Sequence, residues 1–169
     1  YYNKFINHIT EYYKGNQEYS YYNIDNTYKG LEIRGKWELS SIFTFSGEIN
    51  LISNKYSNGN SIPNTPPISI SNKLNYKSSK QPIGLTVNTK WTGPYTPAYH
   101  DINNNGWIYE NDKRASYFII DIFGSYFYNK SLKINLGIKN IGNYVDSKYG
   151  PFIGRVFYFN ISAQINDNN

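Results

Sequence analysis

The sequence predicts an all-β fold, an antiparallel transmembrane β-barrel wall of about eight strands. Three observations lead to this prediction. Hydrophobic and polar residues alternate along most of the chain, charged residues keep to the polar side, and short links between strands alternate with long ones. No stretch of the sequence approaches the roughly 20 apolar residues that a membrane-spanning helix requires.

The alternating pattern defines eight strands. In chain order they cover residues 1–13, 18–38, 41–53, 66–77, 81–92, 115–128, 131–139 and 154–165. The first strand alternates least regularly. In the others an apolar face opposes a polar face, because successive side chains of a strand point to opposite sides.

Four of these strands have particularly clear apolar faces. In chain order the faces carry Leu31, Ile33, Gly35 and Trp37, then Phe43, Phe45, Ile49 and Leu51, then Ile83, Leu85, Val87 and Trp91, and finally Phe157, Phe159, Ile161, Ala163 and Ile165. Strand lengths of about 10 residues also suit a tilted crossing of a bilayer.

Charged residues within the strands test this interpretation. Those on polar faces are Glu32, Arg34, Lys36, Glu48, Lys73, Lys90, Asp121 and Lys133. A lysine or arginine that faces lipid at mid-bilayer costs roughly 2–4 kcal/mol, so this placement favours an amphipathic sheet. Lys29 and Arg155 break the pattern near strand ends, and Asn72 lies on an apolar face. We expect Arg155 to make a structural pairing with a neighbouring strand.

The links between strands predict the orientation. The tight links are 39–40, 78–80 and 129–130, and the long ones are 54–65, 93–114 and 140–153. Outer-membrane barrels have short periplasmic turns and long extracellular loops. The lower aromatic girdle is then expected to contain Trp37, Tyr76, Tyr126 and Tyr128, and the upper one Trp91 and Tyr95.

Four segments resemble, in order, the end of a TonB-dependent receptor barrel. They are Tyr28-Lys29-Gly30-Leu31-Glu32, similar to a Gly-x-Glu strand opening; Pro63-Asn64-Thr65-Pro66-Pro67, similar to a proline-rich return; Leu136-Gly137-Ile138-Lys139-Asn140-Ile141 with Tyr144, similar to the penultimate segment; and Gly154-Arg155-Val156-Phe157-Tyr158, similar to the opening of the final strand. Together they extend over much of the chain.

This resemblance implies a barrel of about 22 strands with an N-terminal plug, of which this chain supplies the last eight strands. The implied function is import of a scarce, bulky nutrient such as a siderophore, haem or cobalamin. The implied partners are outer-membrane lipid, the rest of the barrel and its plug, TonB through the N-terminal part, and a surface lipoprotein. The chain opens with Tyr1 and contains no Met, so we expect a fragment or a processed chain.

The longest link contains a candidate calcium loop at residues 101–112. Its oxygen donors at positions 1, 3, 5, 7 and 12 are the side chains of Asp101, Asn103 and Asn105, the carbonyl of Trp107, and the side chain of Asp112. Gly106 permits the sharp turn at position 6. Two neutral Asn ligands imply weak Ca²⁺ binding, and the alternative is an Asn- and Gly-rich surface turn.

Two alternatives to the transporter remain open. One is a complete eight-stranded outer-membrane barrel with a structural or adhesive role, since eight strands suffice to close. The other is a soluble, calcium-stabilised β-sandwich that binds carbohydrate. No catalytic set of residues is recognisable, so an enzyme is not expected. The net charge of +5 is spread without a basic block, which argues against nucleic-acid binding.

Overall fold

The computed structural model describes residues 1–15, 18–101, 106–109, 113–129 and 131–163. Its strands are β1 (Tyr2–Gly15), β2 (Glu18–Glu38), β3 (Phe43–Tyr56), β4 (Ile68–Lys77), β5 (Ile83–Thr92), β6 (Ala98–Asp101), β7 (Gly106–Tyr109), β8 (Tyr117–Phe127), β9 (Leu132–Lys139) and β10 (Val156–Ala163). No helix in this part of the chain is long and apolar enough to cross a membrane.

Eight strands form one sheet in the order β1-β2-β3-β4-β5-β8-β9-β10. The predicted antiparallel all-β fold is therefore confirmed. Each predicted strand has an observed counterpart whose ends lie within three residues of the predicted ones.

The link predicted at 93–114 is not a plain loop. It contains the two-stranded hairpin of β6 and β7. Four-residue strands on either side of an Asn- and Gly-rich stretch are too short to show a period of 2 over a useful window, which explains why the sequence did not reveal them.

The chain divides into two compact units. The first consists of Tyr1–Ile33, Ile49–Ser69 and Thr92–Tyr117, and it contains the β6–β7 hairpin. The second consists of Arg34–Glu48, Ile70–Trp91 and Phe118–Asn169, and it contains β9, β10 and three tight turns.

The three tight turns share one hydrogen-bonding device. A single side-chain oxygen of Ser40, Ser78 or Asn129 accepts hydrogen bonds from two backbone N–H groups that follow it by two and three residues, at 2.7–3.3 Å. Short polar side chains commonly stabilise turns in this way, because they replace backbone partners that a reversing chain cannot supply.

The two faces of the sheet in the second unit differ in chemistry. On one face the Ser125 hydroxyl contacts Asn135 Oδ1 at 2.8 Å, and Asn135 Nδ2 donates to Asn160 Oδ1 at 3.2 Å. The next row along these strands includes the opposed pair Leu136 and Phe159, which points to the other side. Leu136 is 58% exposed and Phe159 is 63% exposed, so no described residue covers this apolar face.

Asn72 is accommodated on the apolar face by two neighbours. Its Nδ2 donates to the hydroxyl of Thr89 at 3.4 Å. Gly47 leaves room for it, since a Cβ at that position would lie 3.3 Å from Asn72 Oδ1. The pairing reduces the cost of placing an amide on an apolar surface.

Aromatic side chains gather near two of the tight turns. Trp37 stacks on Phe45 with ring centroids 5.7 Å apart, and Phe43 lies 5.1 Å from Tyr76. Trp37 is about half exposed, as is Tyr126. Amphipathic rings exposed at the end of an apolar face are typical of a membrane–water boundary.

Candidate functional site

The polar face of the second unit contains a concavity of about 560 Å³. We call it the polar groove and define it by its charged lining residues, Arg34, Glu48, Lys73, Lys90 and Asp121. The alternating pattern of the sequence predicts each of them on the polar face of its strand. The structure brings these residues from five strands to one surface.

One ion pair crosses the groove from β2 to β3. Arg34 Nε lies 3.0 Å from Glu48 Oε2. The Arg34 side chain is 67% exposed, so water screens the attraction and the pair adds little stability. Its effect is to orient the guanidinium and the carboxylate along the groove wall.

Asp121 has a structural role. Its Oδ1 accepts a hydrogen bond of 2.8 Å from the backbone nitrogen of Asn140, which follows β9. The backbone nitrogen of Ile141 donates to the carbonyl of Ile120 at 2.9 Å beside it. The Asp121 carboxylate therefore fixes the start of the link between β9 and β10.

Lys73 and Lys90 supply the cationic groups that remain available. Both are exposed, and neither has a salt-bridge partner among the residues that the structure describes. Three cationic and two anionic side chains line the groove, which leaves a net charge of +1. With Glu48 and Asp121 already engaged, the groove can attract an anionic group to its two ammonium groups.

Asn140 organises the last link. Its Nδ2 donates to the carbonyl of Tyr144 at 2.7 Å, and its Oδ1 accepts from the backbone nitrogen of Tyr144 at 3.0 Å. Asn140 is 6% exposed and has a φ of 51°, a conformation that asparagine tolerates better than most residues. The segment that resembled the family thus has a definite structural task.

Arg155 completes this link from the opposite end. Its Nε and Nη2 donate to the carbonyl of Ile141 at 3.1 and 2.7 Å, and its backbone nitrogen donates to Asn143 Oδ1 at 2.9 Å. Gly154 is required beside it, because a Cβ there would collide with Asn143 Oδ1. The expected structural pairing of Arg155 is observed, although its partner is a loop carbonyl and not a strand residue.

A buried arginine that no sequence pattern indicated anchors the link between β5 and β8. Arg114 Nη1 donates to the Tyr95 hydroxyl at 2.5 Å, and the backbone nitrogen of Arg114 donates to the Tyr95 carbonyl at 2.8 Å. The guanidinium also lies 4.4 Å from the centre of the Tyr117 ring. No periodic pattern marks such a contact between distant loop residues.

The expectation that Tyr95 belongs to an upper aromatic girdle was wrong. Tyr95 is only 9% exposed, and it is the one large hydrophobic residue that is buried within the described ranges. The Tyr95 hydroxyl accepts a hydrogen bond from Arg114, and the Arg114 guanidinium lies over the Tyr95 ring. Tyr95 therefore cannot face lipid.

The candidate calcium loop is only partly described. Asp101 ends β6 directly opposite Gly106, and Trp107 in β7 pairs with His100. Asn103, Asn105 and Asp112 lie outside the described residues. The calcium site therefore stays a prediction.

One family model matches most of this chain. The family model described as "TonB dependent receptor-like, beta-barrel" matches residues 1–141. No curated protein matches the chain by sequence.

Solved structures resemble this chain in fold. The copper transporter OprC matches at 16% identity with a TM-score of 0.75, covering 95% of this chain and 26% of OprC. The ferric enterobactin receptor PfeA of Pseudomonas aeruginosa matches at 18% identity with a TM-score of 0.71, covering 96% and 28%. The pyoverdine outer membrane receptor FpvA of the same organism matches at 14% identity with a TM-score of 0.72, covering 96% and 26%. The chain thus spans about a quarter of these proteins.

Proposed function

The chain belongs to the TonB-dependent receptor-like β-barrel family, and from this premise we propose that it is part of an outer-membrane transporter. The transporter imports a scarce, bulky nutrient of the siderophore, haem or cobalamin class. In this family the protein's task is transport and not catalysis. The segment described here supplies part of the barrel wall.

The observation that best supports this proposal is the contrast between the two faces of the sheet. Phe157 and Phe159 are 75% and 63% exposed on one face, while Asn135 and Asn160 are hydrogen bonded on the other. Exposed aromatic side chains along a strand suit contact with acyl chains, whereas hydrogen-bonded amides suit a wet interior. In this arrangement the long links point outward from the cell and the tight turns lie in the periplasm.

The polar groove is then part of the barrel interior. Lys73 and Lys90 can contact acidic groups of a plug or of an anionic nutrient complex. The remainder of the receptor would supply the plug and the segment that engages TonB, and a surface lipoprotein would assist at the external links. Solved relatives include receptors bound to pyoverdine or enterobactin, which supports the siderophore class for this chain.

Nutrient uptake in living cells tests the transport proposal. A strain that lacks the full-length gene is supplied with labelled ferric siderophores, haem and cobalamin in turn, with and without TonB. We expect the intact gene to restore uptake of at least one of these nutrients, and only when TonB is present. Uptake that is equal in the deleted strain for every nutrient would contradict the proposal.

The structure bears on both alternatives. A sandwich needs a second layer over the apolar face, and the described residues form one eight-stranded sheet with a separate hairpin. A closed eight-stranded barrel needs its first and last strands to pair, whereas β1 and β10 are the terminal strands of the described sheet. The mass of the native protein in outer-membrane fractions distinguishes a small barrel, near 20 kDa, from a receptor several times larger.

We propose separately that the 101–112 loop binds Ca²⁺ weakly. The spacing of Asp101, Asn103, Asn105 and Asp112 supports this assignment. Calorimetry on the full-length receptor in detergent should give a dissociation constant of about 10⁻⁴–10⁻³ M for Ca²⁺. Asp101→Ala should abolish the heat signal, whereas Asp146→Ala, in another external link, should leave it unchanged. Equal heats for the wild type and Asp101→Ala would refute the site.

A further inference from the structure

Three lysines lie on the apolar side of the first unit, contrary to the general placement of charge. Lys29 is on the same face of β2 as Leu31 and Ile33, because these residues are separated by steps of two. In the pairing of β1 with β2, Lys4 lies opposite Thr27 and Tyr2 lies opposite Lys29. Lys4 is therefore on the same face as Lys29.

The third lysine comes from β3. The backbone nitrogen of Ser57 donates to the carbonyl of Asp25 at 2.7 Å. Counting back two residues on β3 and forward two on β2 places Lys55 opposite Thr27, and a further step places Ser53 opposite Lys29. Lys4, Thr27 and Lys55 thus form one row across three strands.

We call this surface the lysine rim. It consists of Tyr2, Lys4, Thr27, Lys29, Ser53 and Lys55. Thr27, Lys29, Ser53 and Lys55 line a depression of about 310 Å³. Lys29 Nζ lies 5.7 Å from the centre of the Tyr2 ring. Lys4, Lys29, Ser53 and Lys55 are exposed, so their ammonium and hydroxyl donors are accessible.

The lysine rim borders an uncovered apolar surface. Leu31 lies two residues after Lys29 on β2, and Leu51 lies two residues before Ser53 on β3, so both are on the same face as the rim. Their exposed fractions are 54% and 39%. Ile33 and Ile49 continue the same surface and are also exposed. A ligand that touches both regions must have an anionic end and an apolar end.

The charge of the rim favours an anion. Asp25 lies one step beyond Thr27 on the same face, so three lysines and one aspartate leave a net charge of +2. Ammonium and hydroxyl groups together suit a phosphate, whose oxygens accept several hydrogen bonds at once. Long lysine side chains reach from an apolar surface to the headgroup region of a bilayer.

We propose that the lysine rim binds the phosphate headgroup of an anionic membrane lipid whose acyl chains lie on the adjoining apolar surface. This inference rests on the proposed placement of the chain in the outer membrane. It assigns a lipid site to the outside of the barrel wall, separate from the polar groove on the other face.

Lipid binding by the full-length receptor in neutral detergent tests this site. The probe is diphosphorylated lipid A, compared with its dephosphorylated form, with zwitterionic phosphatidylcholine and with inorganic phosphate as a competitor. The test variant carries Lys4→Gln, Lys29→Gln and Lys55→Gln. The matched control carries Lys36→Gln, Lys77→Gln and Lys133→Gln, which remove the same charge from β2, β4 and β9 outside both the lysine rim and the polar groove.

We expect the rim variant to bind diphosphorylated lipid A about 100-fold more weakly than the wild type, since each lysine contributes to phosphate attraction. The control variant should bind as the wild type does, and neither dephosphorylated lipid nor phosphatidylcholine should bind tightly. Equal binding by the rim variant overturns the proposal. Displacement of the lipid by millimolar inorganic phosphate also overturns it, because the apolar surface would then contribute nothing.

Uptake measurements separate this inference from the proposed function. If the receptor takes up nutrient in a TonB-dependent manner and the rim variant binds lipid as tightly as the wild type, only the lipid site is refuted. If the wild type shows no TonB-dependent uptake and the protein is found outside the outer membrane, the proposed function is refuted. The basis for the lipid site is then removed as well.

Discussion

Asn140 and Tyr144 are joined by two hydrogen bonds that run in opposite directions between one side-chain amide and one backbone unit. The amide of a single buried residue therefore closes the turn after β9. Since Asn140 also donates its backbone nitrogen to Asp121, it connects this turn to β8.

Asn140→Ala should destabilise the barrel by about 2–4 kcal/mol. It removes both side-chain hydrogen bonds and leaves an alanine at positive φ, a conformation that asparagine tolerates better. Asn140→Gly also loses both hydrogen bonds, but glycine adopts positive φ without strain, so the loss of stability should be smaller than for alanine. The midpoint of urea unfolding in detergent measures both variants. An alanine variant as stable as the wild type would show that water replaces the amide fully.

Arg114 and Tyr95 allow a test of the long-link anchor. Tyr95→Phe keeps the ring but removes the acceptor of a buried guanidinium, and we expect a loss of about 1.5–3 kcal/mol. Arg114→Met should lose at least as much, because the cation also lies over the Tyr117 ring. Faster proteolytic cleavage between β5 and β8 would report the release of the anchor. Tyr149→Phe in the last link serves as the control, and cleavage as slow in Tyr95→Phe as in this control would contradict the role of the hydroxyl.

Gly137 and Phe123 should be energetically coupled. Gly137 lies opposite Phe123, and a Cβ at position 137 would collide with Phe123 Cδ1, so the ring occupies the space that the glycine leaves. Gly137→Ala should destabilise by about 1–3 kcal/mol through this overlap. In Phe123→Ala the same Gly137→Ala change should cost less, and a double-mutant cycle of unfolding free energies measures the difference. Additive effects would show that the ring moves aside freely.

Charge in the polar groove should affect ligand capture. Lys73→Glu combined with Lys90→Glu reverses the two available cations, and we expect about a tenfold higher half-saturation concentration for uptake of an anionic nutrient at low salt. The effect should shrink as ionic strength rises, because salt screens exposed charges. Lys36→Glu combined with Lys77→Glu changes the net charge by the same amount on the same polar face but outside the groove lining, and it is the matched control. An equal effect of this control would mean that net charge, and not the groove, determines capture.

Much of the fold could be predicted because period-2 patterning reports directly on strand faces. Glu32, Arg34 and Lys36 on one side of β2, against Leu31 and Ile33 on the other, fix that strand without any knowledge of its neighbours. The same pattern correctly placed every charged residue that lines the polar groove.

The remaining features depend on contacts that no local pattern encodes. Arg114 and Tyr95 are separated by 19 positions in a link without regular spacing, so their pairing emerges only in three dimensions. The lysine rim was missed for a different reason. Lys29 alone resembles an exception at a strand end, and only the pairing of β1 with β2 places Lys4 beside it.

The side-chain caps at Ser40, Ser78 and Asn129 have a consequence for how such a wall can be assembled. Each capping oxygen accepts hydrogen bonds from backbone nitrogens within three positions of it. Local contacts therefore close the turns of three hairpins, which are β2–β3, β4–β5 and β8–β9. A hairpin whose turn is closed by local hydrogen bonds can form early in folding, because it does not depend on residues that are distant in the sequence.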